Sequence, residues 1–235
     1  KVINQQVVGL VDPPHLSSRS ALKTIRRLGG RIATPSVLAG LSKEDRQRSV
    51  ILIPDAFTSF FDAESMVHTY ELLKAFNINV LIAPFYPNGK GLHIKGRLSA
   101  FKRTAENNVK QIKVLKSFDI PMVCLDPAVA LTYRDEYVEA MGVESQLPIL
   151  MIQEWLSTQL HRLPKDYLSS NQKNVSLFAH CTERSLSSTA TEDWFKIFEH
   201  LGINCQIESV GCCGMCGVYG HEAEHRQLSQ QIFES

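Results

Sequence analysis

Three of the six cysteines in this 235-residue chain fall within five residues, in the stretch Gly211-Cys212-Cys213-Gly214-Met215-Cys216-Gly217-Val218-Tyr219-Gly220-His221-Glu222. The interleaved glycines free the backbone to fold around a bound group, and gathered thiolates suit a soft metal or an iron-sulfur cluster. A fourth cysteine, Cys181, follows the apolar run Val175 to Phe178, and the Cys212-Cys213 pair follows another, Cys205 to Val210. Short apolar runs bounded by turn residues read as buried strands. Ligands in open α/β sheets gather at the carboxyl ends of strands, so Cys181, Cys212 and Cys213 are expected to converge although 30 residues separate Cys181 from the pair. Cys124 and Cys205 lie inside apolar runs and read as small core residues.

Spacing leaves three chemistries open. A cluster would use Cys181, Cys212 and Cys213 with further thiolates. A structural zinc would take Cys181, one of Cys212 and Cys213, Cys216 and His221 as a closed four-ligand set. A thiol-redox reading takes Cys213-Gly214-Met215-Cys216 as a C-x-x-C motif after a strand, although no helix opens at its first cysteine. His180, His221 and Glu222 flank the thiols, with Glu222 placed as a first-turn acid at a helix start. The run Arg134-Asp135-Glu136 reads as a solvated helix face.

The elements that must position these residues alternate between two periods. Val50 to Ile53, Val80 to Ala83 and Pro121 to Leu125 read as strands. Asp62 can cap a helix reaching Phe76, with Leu72, Leu73 and Phe76 inward, and Leu98, Phe101, Ala105, Val109, Ile112 and Leu115 mark a long amphipathic helix. Ile149, Ile152, Leu156 and Leu160 place a further helix on the way to a second series. That series is a strand at Val175 to Phe178, a helix behind Ser187 or Ser188 with Trp194, Ile197, Phe198 and Leu201, a strand at Cys205 to Val210, the cysteine loop, and a helix from about Glu222 with Leu228 and Ile232 inward. Strands alternating with helices imply parallel crossovers.

The second series repeats the first. A constant offset of 125 residues carries 50–96 onto 175–221 without a gap, and Val50, Leu52, Ile78, Asn79, Ile82 and Gly89 meet identical residues. We therefore read an α/β chain of two pseudo-duplicated units with parallel sheets, the second truncated. The units are a lead-in at 1–48 with a short helix Arg19 to Leu28 capped by Ser17-Ser18 and stopped by Gly29-Gly30, a first unit at 49–145, a connecting helix at 146–174, and a second unit at 175–235. In this alignment Cys181 meets Ala56, Cys212 meets Pro87 and Cys213 meets Asn88, so one copy carries the thiols and the other lacks them.

Composition narrows the class. Lys plus Arg number 25 against 24 Asp plus Glu, with no basic stripe, which speaks against nucleic-acid binding. No apolar run approaches the ~20 residues of a membrane span and no secretory leader pattern opens the chain. The expectation is a cytoplasmic protein, or one peripheral at the inner membrane, whose clustered thiols stay reduced.

The stretches Phe178-Ala179-His180-Cys181-Thr182-Glu183, Val210-Gly211-Cys212-Cys213-Gly214-Met215 and Tyr219-Gly220-His221-Glu222 resemble the cysteine-rich CCG domain of heterodisulfide reductase subunits, glycolate oxidase iron-sulfur subunits and anaerobic glycerol-3-phosphate dehydrogenase subunits. Together with Ile53-Pro54-Asp55-Ala56-Phe57-Thr58, Asn88-Gly89-Lys90 with His93 and Lys95-Gly96, and the segment from Leu125-Asp126-Pro127-Ala128 to Tyr137, they are most similar to the C-terminal region of large bacterial FAD and iron-sulfur D-2-hydroxyacid dehydrogenases of the D-2-hydroxyglutarate type. The resemblance covers residues 45–235. It implies two α/β halves around a 4Fe-4S-type electron-transfer site held by Cys181, Cys212 and Cys213, with Cys216 and His221 as further candidates, although Cys216 departs from the family pattern, which usually has a small non-ligand residue there. It also implies FAD in an upstream flavin domain fused in the parent chain, an electron acceptor of unstated identity, and a substrate such as D-2-hydroxyglutarate or D-lactate. In the family a further cysteine segment follows the second helix, and the offset places its strand and turn at 246–253. The chain is accordingly expected to be a fragment that has no turnover and holds no intact cluster by itself, with a zinc-stabilised interaction module and a thiol oxidoreductase as the alternatives.

Overall fold

The computed structural model describes residues 9–167 and 174–235. Short polar caps start most of the early elements. Ser20, Thr34 and Ser42 accept backbone N–H groups at the starts of α1 (Ala21–Arg27), α2 (Pro35–Ala39) and α3 (Lys43–Gln47), with β1 (Arg31–Ile32) between the first two. Then follow β2 (Ser49–Ile53), α4 (Ala56–Phe60) capped by Asp55, α5 (Ala63–Ala75) capped by Asp62, β3 (Asn79–Ile82), α6 (Lys90–Ile94) and α7 (Leu98–Lys116). The first unit closes with β4 (Met122–Cys124), α8 (Pro127–Leu131) capped by Asp126, a π-helical turn at Thr132–Glu136, α9 (Tyr137–Met141), β5 (Ile149–Met151) and α10 (Ile152–Thr158).

These strands form one parallel sheet in the order β1-β3-β2-β4-β5. Side chains alternate across a strand, and both faces of this sheet are covered. Ile51, Ile53 and Leu81 pack toward Phe101 and Ile112 of α7, while Val50, Leu52, Val80 and Ile82 pack toward Tyr70 and Leu73 of α5 and Trp155 of α10. All five residues of β2 are buried, as expected of a central parallel strand. Burial of each such aliphatic side chain contributes about 1.5–3 kcal/mol.

The second unit consists of β6 (Asn174–Leu177), α11 (Cys181–Leu186), α12 (Ala190–His200), β7 (Asn204–Ile207) and α13 (Arg226–Phe233). Its copy of the first unit is exact in register. Ser49 to Leu52 pair with Asn79 to Ile82, and Asn174 to Leu177 pair with Asn204 to Ile207, the same pairs shifted by 125. Helix ends repeat as well. Asn77 N–H reaches Lys74 O and Ile78 N–H reaches Leu73 O, and Gly202 reaches Glu199 and Ile203 reaches Phe198 in the same way. Both Asn77 (φ 59°) and Gly202 (φ 78°) are left-handed, which is the geometry that lets the chain turn out of a helix into the next strand.

Several expectations need correction. The lead-in belongs to the first unit's sheet, because Arg31–Ile32 pairs with β3 as its edge strand, and its first helix is capped by Ser20 and not by Ser17-Ser18. Ile149 belongs to a strand paired with β4 rather than to the helix that follows it. Leu72 and Leu98 face solvent while Leu73, Phe76, Phe101 and Leu115 are buried. The last helix begins at Arg226, has no acid in its first turn, and buries Ser229 instead of Leu228. Arg134 and Glu136 are half-buried and ion-paired, the first to Glu154 at 2.7 Å and the second to Lys90 and His93. Helical periodicity missed this because the π-helical turn inserts an extra residue and rotates the following side chains.

Candidate functional site

Cys181 is the first residue of α11, directly beyond the carboxyl end of β6, and its position is fixed by a double cap. His180 Nδ1 accepts the Thr182 N–H at 3.2 Å, and Glu183 Oε2 accepts the His180 N–H at 3.3 Å. Such reciprocal capping satisfies donors that a helix start leaves free. Glu183 is itself buried, and its Oε1 accepts Gln153 Nε2 at 2.5 Å and Trp194 Nε1 at 2.9 Å. Burial pushes its carboxyl above the usual range, opposed by the hydrogen bonds from Trp194 and from the His180 backbone. His180 thus acts as a cap with Nδ1 as acceptor.

Cys212 and Cys213 lie beyond the end of β7, the strand paired with β6, so all three thiols stand at the carboxyl edge of one two-stranded sheet. The Arg184 guanidinium donates to the Val210 carbonyl and ties α11 to this loop. Gly214 N–H points at Cys212 Sγ at 3.4 Å. Gly214 is left-handed at φ 72°, and a Cβ there would collide with the Ser229 carbonyl of α13. The buried Ser229 hydroxyl also donates to Gly214 O at 2.9 Å. Cys216, at φ 36°, turns the chain back so that Gly220 N–H can reach Met215 O at 3.2 Å. The loop is therefore held by backbone contacts that only glycine permits, and Cys181, Cys212, Cys213 and Cys216 are free and exposed. Cys124 and Cys205 are buried, and burial raises both thiols, Cys124 the further.

The flanking polar residues are engaged elsewhere. His221 Nδ1 faces the Val11 carbonyl at 3.3 Å, and the Val11 N–H returns to the His221 carbonyl at 2.6 Å. Glu222 pairs with Lys95 at 2.5 Å and with His225 at 3.5 Å, so it joins the two units instead of capping a helix. Among the described residues, the group of three ligand-type side chains whose donor atoms lie within 4.8 Å of one another is Glu222, Glu224 and His225. A zinc ion with bonds of about 2.3 Å needs its sulfurs within roughly 4 Å of each other, and that closed arrangement is not assembled at the cysteines. Ligands bound to different irons of a cluster stand farther apart, and soft, exposed thiolates with an N–H aimed at one sulfur suit such a group.

The repeat adds a residue to the site. A shift of 125 carries Cys181, Cys212, Cys213 and Cys216 onto Ala56, Pro87, Asn88 and Gly91. All four of those first-unit residues line one cavity of about 360 Å³. The first-unit counterparts of the four cysteines thus share one hollow, although Cys216 is left-handed at φ 36° where Gly91 lies in the helix α6. The pairing of Cys216 with Gly91 was available in the sequence alignment, and only the cavity gives it meaning. By contrast, the network of Glu136 with Lys90, His93 and Thr132 has no local sequence signal, because it joins α6 to a π-helical turn 40 residues on.

Comparison with known proteins gives one consistent result. The chain is 37% identical over 97% of its length to a D-2-hydroxyglutarate dehydrogenase of Pseudomonas putida. It is 36% identical over 99% to that of Escherichia coli and 32% identical over 98% to that of Haemophilus influenzae. In each case it spans only 22–23% of the relative's length. No protein-family model and no solved structure matches it.

Proposed function

We propose that this chain is the C-terminal, cysteine-rich electron-transfer part of an FAD-dependent D-2-hydroxyacid dehydrogenase, D-2-hydroxyglutarate being the substrate class its relatives' names suggest. The observation that carries the reading is the equivalence of Cys181, Cys212, Cys213 and Cys216 to the four lining positions of one first-unit cavity. The similarity to dehydrogenases about four times as long supports it from outside the structure.

Cys181, Cys212 and Cys213 would hold an iron-sulfur cluster, with Cys216 as a further thiolate beside them. When bound, the cluster supplies one-electron transfer between a flavin in a fused domain and an external acceptor. The protein's own residues fix where this happens. The His180–Glu183 cap orients Cys181, Gly214 and Ser229 set the course of the Cys212-Cys213 loop, and the Gly214 N–H is aimed at Cys212 Sγ. No glycine-rich nucleotide fingerprint occurs in the sequence, so the flavin is assigned to a different part of the parent protein.

Anaerobic reconstitution of the protein that carries this chain, followed by metal analysis and electron paramagnetic resonance, tests the reading. Iron and sulfide in equal amounts with broad absorbance near about 400 nm is the expected outcome. Stoichiometric zinc that resists exchange would replace it with the interaction-module reading. Among the described residues no helix is long and apolar enough to cross a membrane.

A further inference from the structure

Two side chains of the π-helical turn at Thr132–Glu136 reach different elements. Residues two apart on a helix do not share a face, and Arg134 and Glu136 are half-buried while Asp135 between them is exposed. Arg134 reaches Glu154 in the first turn of α10, at 2.9 and 2.7 Å to its two oxygens. Glu154 also accepts the Met151 N–H at 2.9 Å and the Ser187 hydroxyl at 3.3 Å. Ser187 is the residue that ends α11, and the neighbouring Gln153 donates to Glu183 near the start of that helix. The first turn of α10 therefore grips both ends of the helix that begins with Cys181.

Glu136 serves the other thiol segment. Its carboxylate takes Lys90 on one oxygen and His93 on the other, the latter at 3.1 Å, and Thr132 Oγ1 donates to it at 3.3 Å. Lys90 and His93 belong to α6, whose C-cap Lys95 pairs at 2.5 Å with Glu222 at the end of the cysteine loop. One turn thus connects to both stretches that carry the thiols. The acids on which the two chains end accompany those thiols, because a shift of 125 puts Thr58 and Arg97 in the first unit where the second has Glu183 and Glu222. Carboxylates taken out of water are costly unless charge or several donors meet them. Glu154, Glu136 and Glu222 have side chains only 15, 19 and 12% exposed, and each is so met. A π-helical turn inside a helix is rare and recurs at functional sites.

We propose that Arg134 and Glu136 are positioning residues of the thiol site. Arg134, through Glu154, holds the helix of Cys181, and Glu136, through α6 and Lys95, holds the loop of Cys212, Cys213 and Cys216. The electron-transfer role of the thiols rests on the reading above, and the holding of the two segments does not. Amide hydrogen exchange of the 235-residue chain tests it, because local openings are read segment by segment. Arg134→Met should speed exchange in Cys181–Leu186 roughly tenfold and leave 211–222 unchanged, since it strips one partner from a half-buried pair. Glu136→Gln should do the reverse, speeding 90–95 and 211–222 and sparing α11. Asp135→Asn, on the same turn, should change neither segment. If Arg134→Met does not fold, Glu154→Gln opens the same branch, because it keeps the volume and an acceptor for the Met151 N–H. Exchange unchanged in both segments, raised evenly across β2, β3 and both segments, or raised as much by Asp135→Asn overturns the proposal. In the reconstituted parent protein each variant should also shift the electron paramagnetic resonance signal, and spectra identical to wild type overturn it as well. A parent protein that takes up no iron would refute the electron-transfer reading and leave the exchange result standing.

Discussion

The two halves of this molecule share a backbone and differ in what they cover. β2 and β6 carry the same register to their partner strands, yet every residue of β2 is buried whereas β6 alternates between exposed and half-buried. The first sheet has three further strands and two covered faces, and the second has two strands among the described residues. Phe178, Leu186, Ile207 and Phe233 are exposed around it. A repeated frame therefore carries two different surfaces. The first half invests its apolar residues in a core and keeps a thiol-free hollow. The second presents Cys181 at the start of α11 and three further free cysteines on a loop that its glycines and Ser229 hold in place. Backbone geometry sets where a site stands, and a handful of side chains sets what it can bind.

Mirrored substitutions test that division most directly at the sites themselves. Cys181→Ser, Cys212→Ser and Cys213→Ser should each reduce iron after anaerobic reconstitution from stoichiometric to background, since a serine hydroxyl is a poor substitute for a thiolate. The mirror changes Ala56→Ser and Asn88→Ser should leave iron unchanged. Equal losses in both halves would break the asymmetry.

The cores offer the next largest contrast. Leu52→Ala in β2 removes a side chain that is 2% exposed and should cost about 3 kcal/mol in chemical unfolding. Leu177→Ala, its half-buried counterpart in β6, should cost about 1 kcal/mol because less surface leaves water there on folding. Similar losses would mean that the second sheet is as well covered as the first.

A smaller difference separates the paired glycines. Gly89 and Gly214 are both left-handed, so alanine strains each by roughly 1 kcal/mol. At Gly214 the new methyl also meets the Ser229 carbonyl at 2.3 Å, while at Gly89 the nearest atom is Phe101 Cδ2 at the longer distance of 2.9 Å. Gly214→Ala should therefore cost about 2–3 kcal/mol and Gly89→Ala nearer 1 kcal/mol, measured by thermal unfolding of the two variants.

The smallest effect concerns the caps. Asp55 and His180 occupy equivalent positions before α4 and α11. Burial, with a contribution from Asp126, raises the Asp55 carboxyl against its Thr58 bonds. A group that holds its proton more tightly when folded stabilises fully below its unfolded value, about 3.9 for aspartate, and loses that contribution as pH rises through the folded value. Asp55→Asn keeps the cap and removes the titration. Wild type should thus lose stability relative to the variant as pH rises from below about 3.9 through the raised folded value, followed by urea unfolding. A constant difference across that range would show that the carboxyl is not raised.

Much of this was legible in the chain itself. Val50, Leu52, Ile78, Asn79, Ile82 and Gly89 match their partners at one offset, and the shared register of the two strand pairs follows from that match. Cys124 and Cys205 read as core residues and are buried. The misreadings fall where a helix face or an end depends on neighbours. Leu72, Leu98 and Leu228 satisfy helical spacing but face solvent, and Glu222 fits a helix start yet spans to Lys95 and His225. Spacing records which residues can share a face, and packing decides which face is covered.

The sequence alone determined the α/β order, the duplication and the thiol positions, because periodicity, offset and residue type are properties of the chain. Only the tertiary structure decided that Arg31–Ile32 joins the main sheet, that Glu136 gathers Lys90 and His93, and that Gly91 shares the wall of one hollow with Ala56, Pro87 and Asn88. Each of these joins residues far apart in the chain or set on different elements. Such contacts exist only after the sheet has closed, when long-range geometry fixes which side chains meet.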